Sequence, residues 1–72
     1  MANTSPQPQR IVRERQRREI TGVSTSTWYV LMRRGEAPRP LPISPGTVGW
    51  LYSELLEFIE RRVAERDARA SS

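Results

Sequence analysis

Cysteine, histidine and lysine are all missing from this 72-residue chain. Without cysteine or histidine there is no ligand supply for a zinc finger or ribbon. Without cysteine there is also no disulfide framework, and the composition fits a reducing compartment. Aspartate is nearly absent, Asp67 being the single example, so acid–base catalysis by histidine or paired carboxylates has little to draw on. The serines and threonines have no evident base beside them. The chain is therefore expected not to be an enzyme, and to need no metal, cofactor or small-molecule substrate. No apolar run approaches the ~20 residues of a membrane span, and no N-terminal segment resembles a signal peptide. A cytoplasmic protein without a membrane partner is the expectation.

What is present is arginine. All twelve basic residues are arginine, and they are unevenly spread. Between Arg10 and Arg39, eight arginines stand against three glutamates, a net of +5, whereas from residue 40 onward four arginines stand against five acids. A positive surplus confined to one half of a chain is the footprint of a polyanionic partner. Arginine suits that role because its planar fork binds phosphates and guanine edges bidentately, as lysine cannot.

The length is enough for one domain with one modest core. Residues 1–9 carry two prolines and no apolar pattern, which predicts a disordered N-terminal arm. Residues 10–67 form the predicted domain, and 68–72 a flexible tail. A short polar helix is expected from about Arg13 to Ile20, with Ile11, Val12 and Ile20 as its apolar contributors. Gly22 interrupts it, as glycine does at a sharp inter-helix turn. Ser24 is a good N-cap for a second helix running to about Arg34, and Gly35 supplies the left-handed residue that closes it. Trp28, Leu31 and Met32 recur at helical spacing as its buried face. Next, the prolines between Ala37 and Ile43 permit only an edge strand. Ser44-Pro45-Gly46-Thr47 has the residues of a β-turn, and Val48-Gly49-Trp50 returns, completing a two-stranded hairpin. A final amphipathic helix is expected from about Leu51 to Asp67, with Leu51, Leu55, Phe58 and Ile59 on its apolar face and Glu57 and Arg61 paired at i, i+4.

Helix, glycine turn and serine-capped second helix make the spacing of a helix-turn-helix, and the hairpin makes a wing. The predicted fold is thus mainly α, a small winged helix-turn-helix with a two-stranded β-hairpin wing and a C-terminal amphipathic helix. In such a motif the second helix lies in the major groove with its first residues on base edges. Here these are Ser24, Thr25, Ser26 and Thr27, followed by Tyr29, Val30 and Arg33. Small hydroxyls approach phosphates closely and both donate and accept at base edges. The flanking Arg13, Arg17, Arg18, Arg34 and Arg39 complete the candidate DNA-binding set. Trp28 and Trp50 are assigned to the core rather than to base stacking. On the last helix, Tyr52, Leu56 and Val63 lie beside Ile59 on one side of the helical wheel and form a candidate self-association surface.

Three blocks of sequence carry a resemblance. Thr21-Gly22-Val23-Ser24-Thr25-Ser26-Thr27-Trp28-Tyr29, Met32-Arg33-Arg34-Gly35-Glu36-Ala37-Pro38, and Val48-Gly49-Trp50 with Ser53-Glu54-Leu55 resemble the AlpA family of phage and mobile-element regulators. The resemblance spans about Arg13 to Arg66. It implies a MerR-like winged helix-turn-helix, and a role as a transcriptional activator of prophage integrase genes or as an excisionase, a recombination directionality factor. It implies that Ser24, Thr25, Ser26, Thr27, Tyr29 and Arg33 face the major groove, and that wing residues from Ser44 to Thr47 meet the backbone or minor groove. The chain departs from the family pattern at Arg17 or Arg18, near which an apolar residue is usual, and at Thr25 or Val30, near which arginine is common. Double-stranded DNA is the implied partner. Further implied partners are an integrase and other copies of the chain, in tandem or head to tail on DNA, in a bacterial or phage setting. The alternative is a protein-interaction adaptor that uses the apolar C-terminal helix and binds DNA without specificity.

Overall fold

The structure, a computed structural model, describes residues 10–71; the arm expected over residues 1–9 lies outside them. Six elements follow in order: β1 (Ile11–Val12), α1 (Glu14–Thr21), α2 (Thr25–Arg33), β2 (Leu41–Ser44), β3 (Thr47–Leu51) and α3 (Tyr52–Ser71). They form a small winged helix-turn-helix whose hairpin carries a third strand. The sheet order is β1-β3-β2, antiparallel throughout.

The third strand corrects the expectation that Ile11 and Val12 belong to the first helix. Both are β-branched and fit a pleated surface, and they pair as Ile11↔Leu51 and Val12↔Trp50. Strand alternation then turns Val12 inward beside Trp50 and leaves Ile11 on the outer face. The Arg10 carbonyl accepts from the Tyr52 amide at 2.7 Å, extending the attachment to the head of α3. On the other side, β2 is an edge strand, which is where Pro42 is tolerated, and its register shifts between Pro42 and Ser44. Gly46 takes a φ of 78° at the wing tip, in the left-handed region that the turn requires.

Gly49 lies at the centre of β3 and is buried. A Cβ there would stand 2.7 Å from Ile11 Cγ2, 2.8 Å from the Val12 carbonyl oxygen and 2.9 Å from Ile43 Cδ1. The missing side chain lets Ile11 and Ile43, from the two outer strands, close over the middle one.

Helix ends follow local chemistry. The Arg13 amide donates to Gln16 Oε1 at 3.4 Å at the start of α1, and Gly22, with φ 72°, ends it by donating to the Arg18 carbonyl at 2.8 Å. Ser24 caps α2, its Oγ accepting from the Thr27 amide at 3.4 Å. At the far end Gly35, with φ 75°, and Glu36 donate back to the carbonyls of Met32 and Leu31, a glycine-based closure. The last helix, α3, runs past its expected end at Asp67 to Ser71. Ala68, Arg69 and Ala70 are good helix formers and no stop signal precedes them. Among the described residues no ion pair joins Glu57 and Arg61 as expected; the pairs that α3 makes include Arg62–Glu65 and Arg66–Asp67 within the helix and Arg62–Glu36 to the loop after α2.

The core is small and aromatic: Val12, Trp28, Ala37, Trp50, Leu55 and Phe58 are buried. Trp28 is its centre, meeting Trp50 edge to face at 6.2 Å and Phe58 at 5.0 Å between ring centroids; such pairs add to area burial. Trp50 Nε1 donates to the Pro38 carbonyl at 3.2 Å, pinning the loop before the wing, whereas Trp28 Nε1 is buried without a hydrogen-bond partner among the described residues. Both tryptophans are core residues, as expected. Trp28 therefore anchors α2 from one side and leaves its opposite side free.

Candidate nucleic-acid interface

The free side of α2 carries Thr25, Ser26, Tyr29, Val30 and Arg33, all exposed. Ser26, Tyr29, Val30 and Arg33 come together as one surface because they lie on the side of the helix turned away from Trp28, and Thr25, three residues before Trp28 and so nearer its face, borders that surface where α2 meets α1. Tyr29 and Val30 stand side by side there, 41% and 37% exposed. The hydroxyl row at the head of the helix is not uniform. Ser24 is committed twice, accepting from the Thr27 amide and donating to Thr27 Oγ1 at 3.0 Å. Thr25 donates to Glu14 Oε2 at 2.6 Å. Ser26 has no side-chain partner among the described residues.

One predicted contact is corrected. Arg17 is fully buried, so it cannot reach DNA in this fold. Its guanidinium sits 4.6 Å from the Trp28 ring centroid and 5.9 Å from that of Trp50. Nη1 donates to the Val23 carbonyl at 2.6 Å and to Thr21 Oγ1 at 3.3 Å, Nε donates to Glu14 Oε1 at 3.1 Å, and Nη2 pairs with Glu14 Oε2. Arg17 thus fills the place where the resemblance expects an apolar residue. Its stem and planar face pack like one, and its donors are satisfied at the edge.

Sequence reasoning missed Glu14. Its carboxylate takes both Arg17 and the Thr25 hydroxyl and so joins α1 to the first turn of α2. The available signal was its i, i+3 spacing from Arg17. Burial pushes the Glu14 carboxyl up. Against this, hydrogen bonds from Arg17 and Thr25 and the charges of Arg17 and Arg18 prevail and hold it below the ordinary glutamate range.

Arg13, Arg15 and Arg18 are exposed on and before α1. Arg15 and Arg18 flank an open depression that also touches Gly22, Val23 and Ser24, directly beside the head of α2. Arg33 is exposed in the last turn of α2; past the helix, Arg39 is exposed, and Arg34 is exposed while lying 4.0 Å from Glu36. On the wing, Ser44 is exposed at the turn and Thr47 is half-buried.

The candidate self-association set divides. Tyr52 is half-buried against the core, with the Arg10 guanidinium 5.2 Å from its ring, and is corrected from an open surface residue to a core-margin one. Leu56 and Val63 remain 38% and 41% exposed. Among the described residues no group of three or more acidic side chains could hold a metal ion, and no helix is long and apolar enough to cross a membrane.

Comparison with known proteins adds two findings. Residues 10–63 match the family described as Prophage CP4-57 regulatory protein (AlpA), which covers every element up to the middle of α3. The chain is also 38% identical over 47 residues to an uncharacterized protein, ORF88, of Enterobacteria phage P4. That match takes in 65% of this chain and 53% of the phage protein, so the chain spans about half the length of this relative.

Proposed function

This chain belongs to the AlpA family of prophage regulatory proteins, and from that membership we propose that it is a sequence-specific DNA-binding regulator of a prophage or integrative element. It acts either on transcription or as an excisionase that assists an integrase. The observation that carries the reading is the free side of α2, where Thr25, Ser26, Tyr29, Val30 and Arg33 project from a helix anchored by Trp28.

In this reading, Arg13, Arg18, Arg34 and Arg39 draw the domain to phosphates, a contribution that weakens steeply with salt. The exposed side of α2 enters the major groove, with Thr27 at its margin, and Arg33 reaches a guanine edge or a phosphate from the last turn. Ser44 and Thr47 bring the wing to the backbone or minor groove. No cofactor is needed. As an excisionase, copies in tandem would bend the duplex, a deformation repaid by the additional contacts it allows.

Leu56 and Val63 favour a second surface, because they stay exposed on a helix whose inner side is already filled by Leu55 and Phe58. They support association with another copy or with an integrase while α2 holds DNA. An adaptor lacking DNA specificity would use the same residues.

The experiment is binding-site mapping with the purified chain, followed by footprinting. Clustered direct repeats at an attachment region, with integrase-dependent excision stimulated in the absence of transcription, assign the excisionase role. A promoter site with altered transcript output assigns the transcriptional one. Affinity equal to that for unrelated DNA at physiological salt would reject the DNA reading and leave the adaptor.

A further inference from the structure

The hydroxyl of Thr25 has only one polarity to offer a ligand. A threonine hydroxyl carries one donor hydrogen and two acceptor lone pairs. Here the hydrogen is directed to Glu14 Oε2 at 2.6 Å. An ionised carboxylate has acceptors only, so the donor in this contact is the threonine. Glu14 cannot turn away, because both its oxygens are held by Arg17. Arg17 cannot turn away either, being fully buried and fixed by the Val23 carbonyl and Thr21 Oγ1.

Resting on the reading that α2 enters the major groove, we propose that Thr25 recognises an exocyclic amino group, adenine N6 or cytosine N4. Glu14 and Arg17 are the positioning residues that set this preference. The groups available to Thr25 divide cleanly. Phosphate oxygens, guanine N7 and O6, adenine N7 and thymine O4 are all acceptors and need a donor. Adenine N6 and cytosine N4 are the donors the major groove presents. With its hydrogen committed, the Thr25 hydroxyl can bond only the second group. Ser26, one residue along and without a side-chain partner among the described residues, keeps both polarities and is the internal contrast. The buried arginine thus reaches the surface chemically: it fixes the carboxylate, and the carboxylate fixes the hydroxyl.

The test uses the full chain and sequences selected in vitro from random duplexes. Thr25→Val removes the hydroxyl with little change of shape at an exposed position, so the base pair whose preference it abolishes marks the contact. That pair is then altered in two ways: the amino group is deleted by placing purine for adenine or 2-pyrimidinone for cytosine, and separately the N7 acceptor is deleted with a 7-deazapurine. Amino deletion is expected to weaken wild type about five- to ten-fold, the value of one hydrogen bond. It should leave Thr25→Val unchanged, while N7 deletion should be harmless to wild type. Glu14→Ala, with its fold checked by circular dichroism, frees the hydroxyl to donate and should become sensitive to N7 deletion. A wild type indifferent to amino deletion, or sensitive to N7 deletion at that pair, overturns the inference and leaves the DNA reading intact. So does a Thr25→Val protein that selects the same sequence. Failure to select any sequence removes the DNA reading itself, and this inference with it.

Discussion

The guanidinium of Arg17 lies 4.6 Å from the centre of the Trp28 ring, inside the core, with no exposure to solvent. The cation belongs to α1 and the ring to α2, so the contact sits at the crossing of the two helices of the motif. A cation over the face of tryptophan is the favoured pairing of its kind, stronger when desolvated. The ion pair with Glu14 has a different character: its carboxylate side is 35% exposed, so water screens it in part.

Replacing Arg17 tests which property the core needs. Arg17→Met keeps an apolar stem of similar length and releases Glu14 to solvent, and buried ion pairs replaced by well-packed apolar groups are often neutral or stabilising. Its stability is expected within about 1 kcal/mol of wild type. Arg17→Ala leaves a cavity beside Trp28 and Trp50, and is expected to cost about 2–4 kcal/mol. Urea unfolding followed by tryptophan fluorescence measures both. A methionine variant as unstable as the alanine variant would show that the charge itself holds the core.

Stability should also carry a Glu14 signature in acid. The folded-state pKa of Glu14 is below its ordinary value, so the folded state binds this proton less readily than the unfolded state does. The resulting stabilisation is complete above the ordinary glutamate range and is lost as pH falls through the depressed folded-state value. Glu14→Gln removes the titration. The stability difference between wild type and Glu14→Gln is therefore expected to be constant near neutrality and to shrink progressively in acid. A difference independent of pH would break the argument.

Much of this architecture was legible because it is written locally. Ser24 as a cap, Gly22 and Gly35 as helix ends, the Ser44–Thr47 turn and the Trp28 side of α2 each depend on a few adjacent residues and on backbone conformations that few residue types adopt. What escaped depends on distant partners. Two residues, Ile11 and Val12, become a strand only because β3 arrives beside them from far along the chain. Arg17 reads as surface charge until Trp28 and Trp50 enclose it from two other elements. The site divides in the same way: the exposed residues of α2 followed from helical spacing, whereas the tie from Thr25 to Glu14 needed the fold.

Gly49 is required by packing rather than by turn geometry. An alanine Cβ would meet the Val12 carbonyl at 2.8 Å, and backbone cannot rotate aside as the ends of Ile11 and Ile43 can. Gly49→Ala is expected to push β1 from β3 and destabilise the domain by about 1–3 kcal/mol, the usual range for overpacking. Thermal unfolding, with amide exchange at Val12 and Leu51, would register the change. Pairing Gly49→Ala with Ile11→Ala and Ile43→Ala should recover only part of the loss, because the carbonyl contact remains.

Two neighbouring arginines should behave oppositely in DNA binding. Arg18 is exposed beside the depression at the head of α2, while Arg17 is sealed in the core. Each phosphate contact made by an arginine adds about 0.9 to the magnitude of the slope of log affinity against log salt. Arg18→Ala should therefore lower that magnitude by about 1 and weaken binding to all sequences alike. Arg17→Met should leave the slope unchanged although it removes the same formal charge. Fluorescence anisotropy across a salt series separates the two, and a reduced slope in Arg17→Met would mean that Arg17 leaves the core to meet a phosphate when DNA binds.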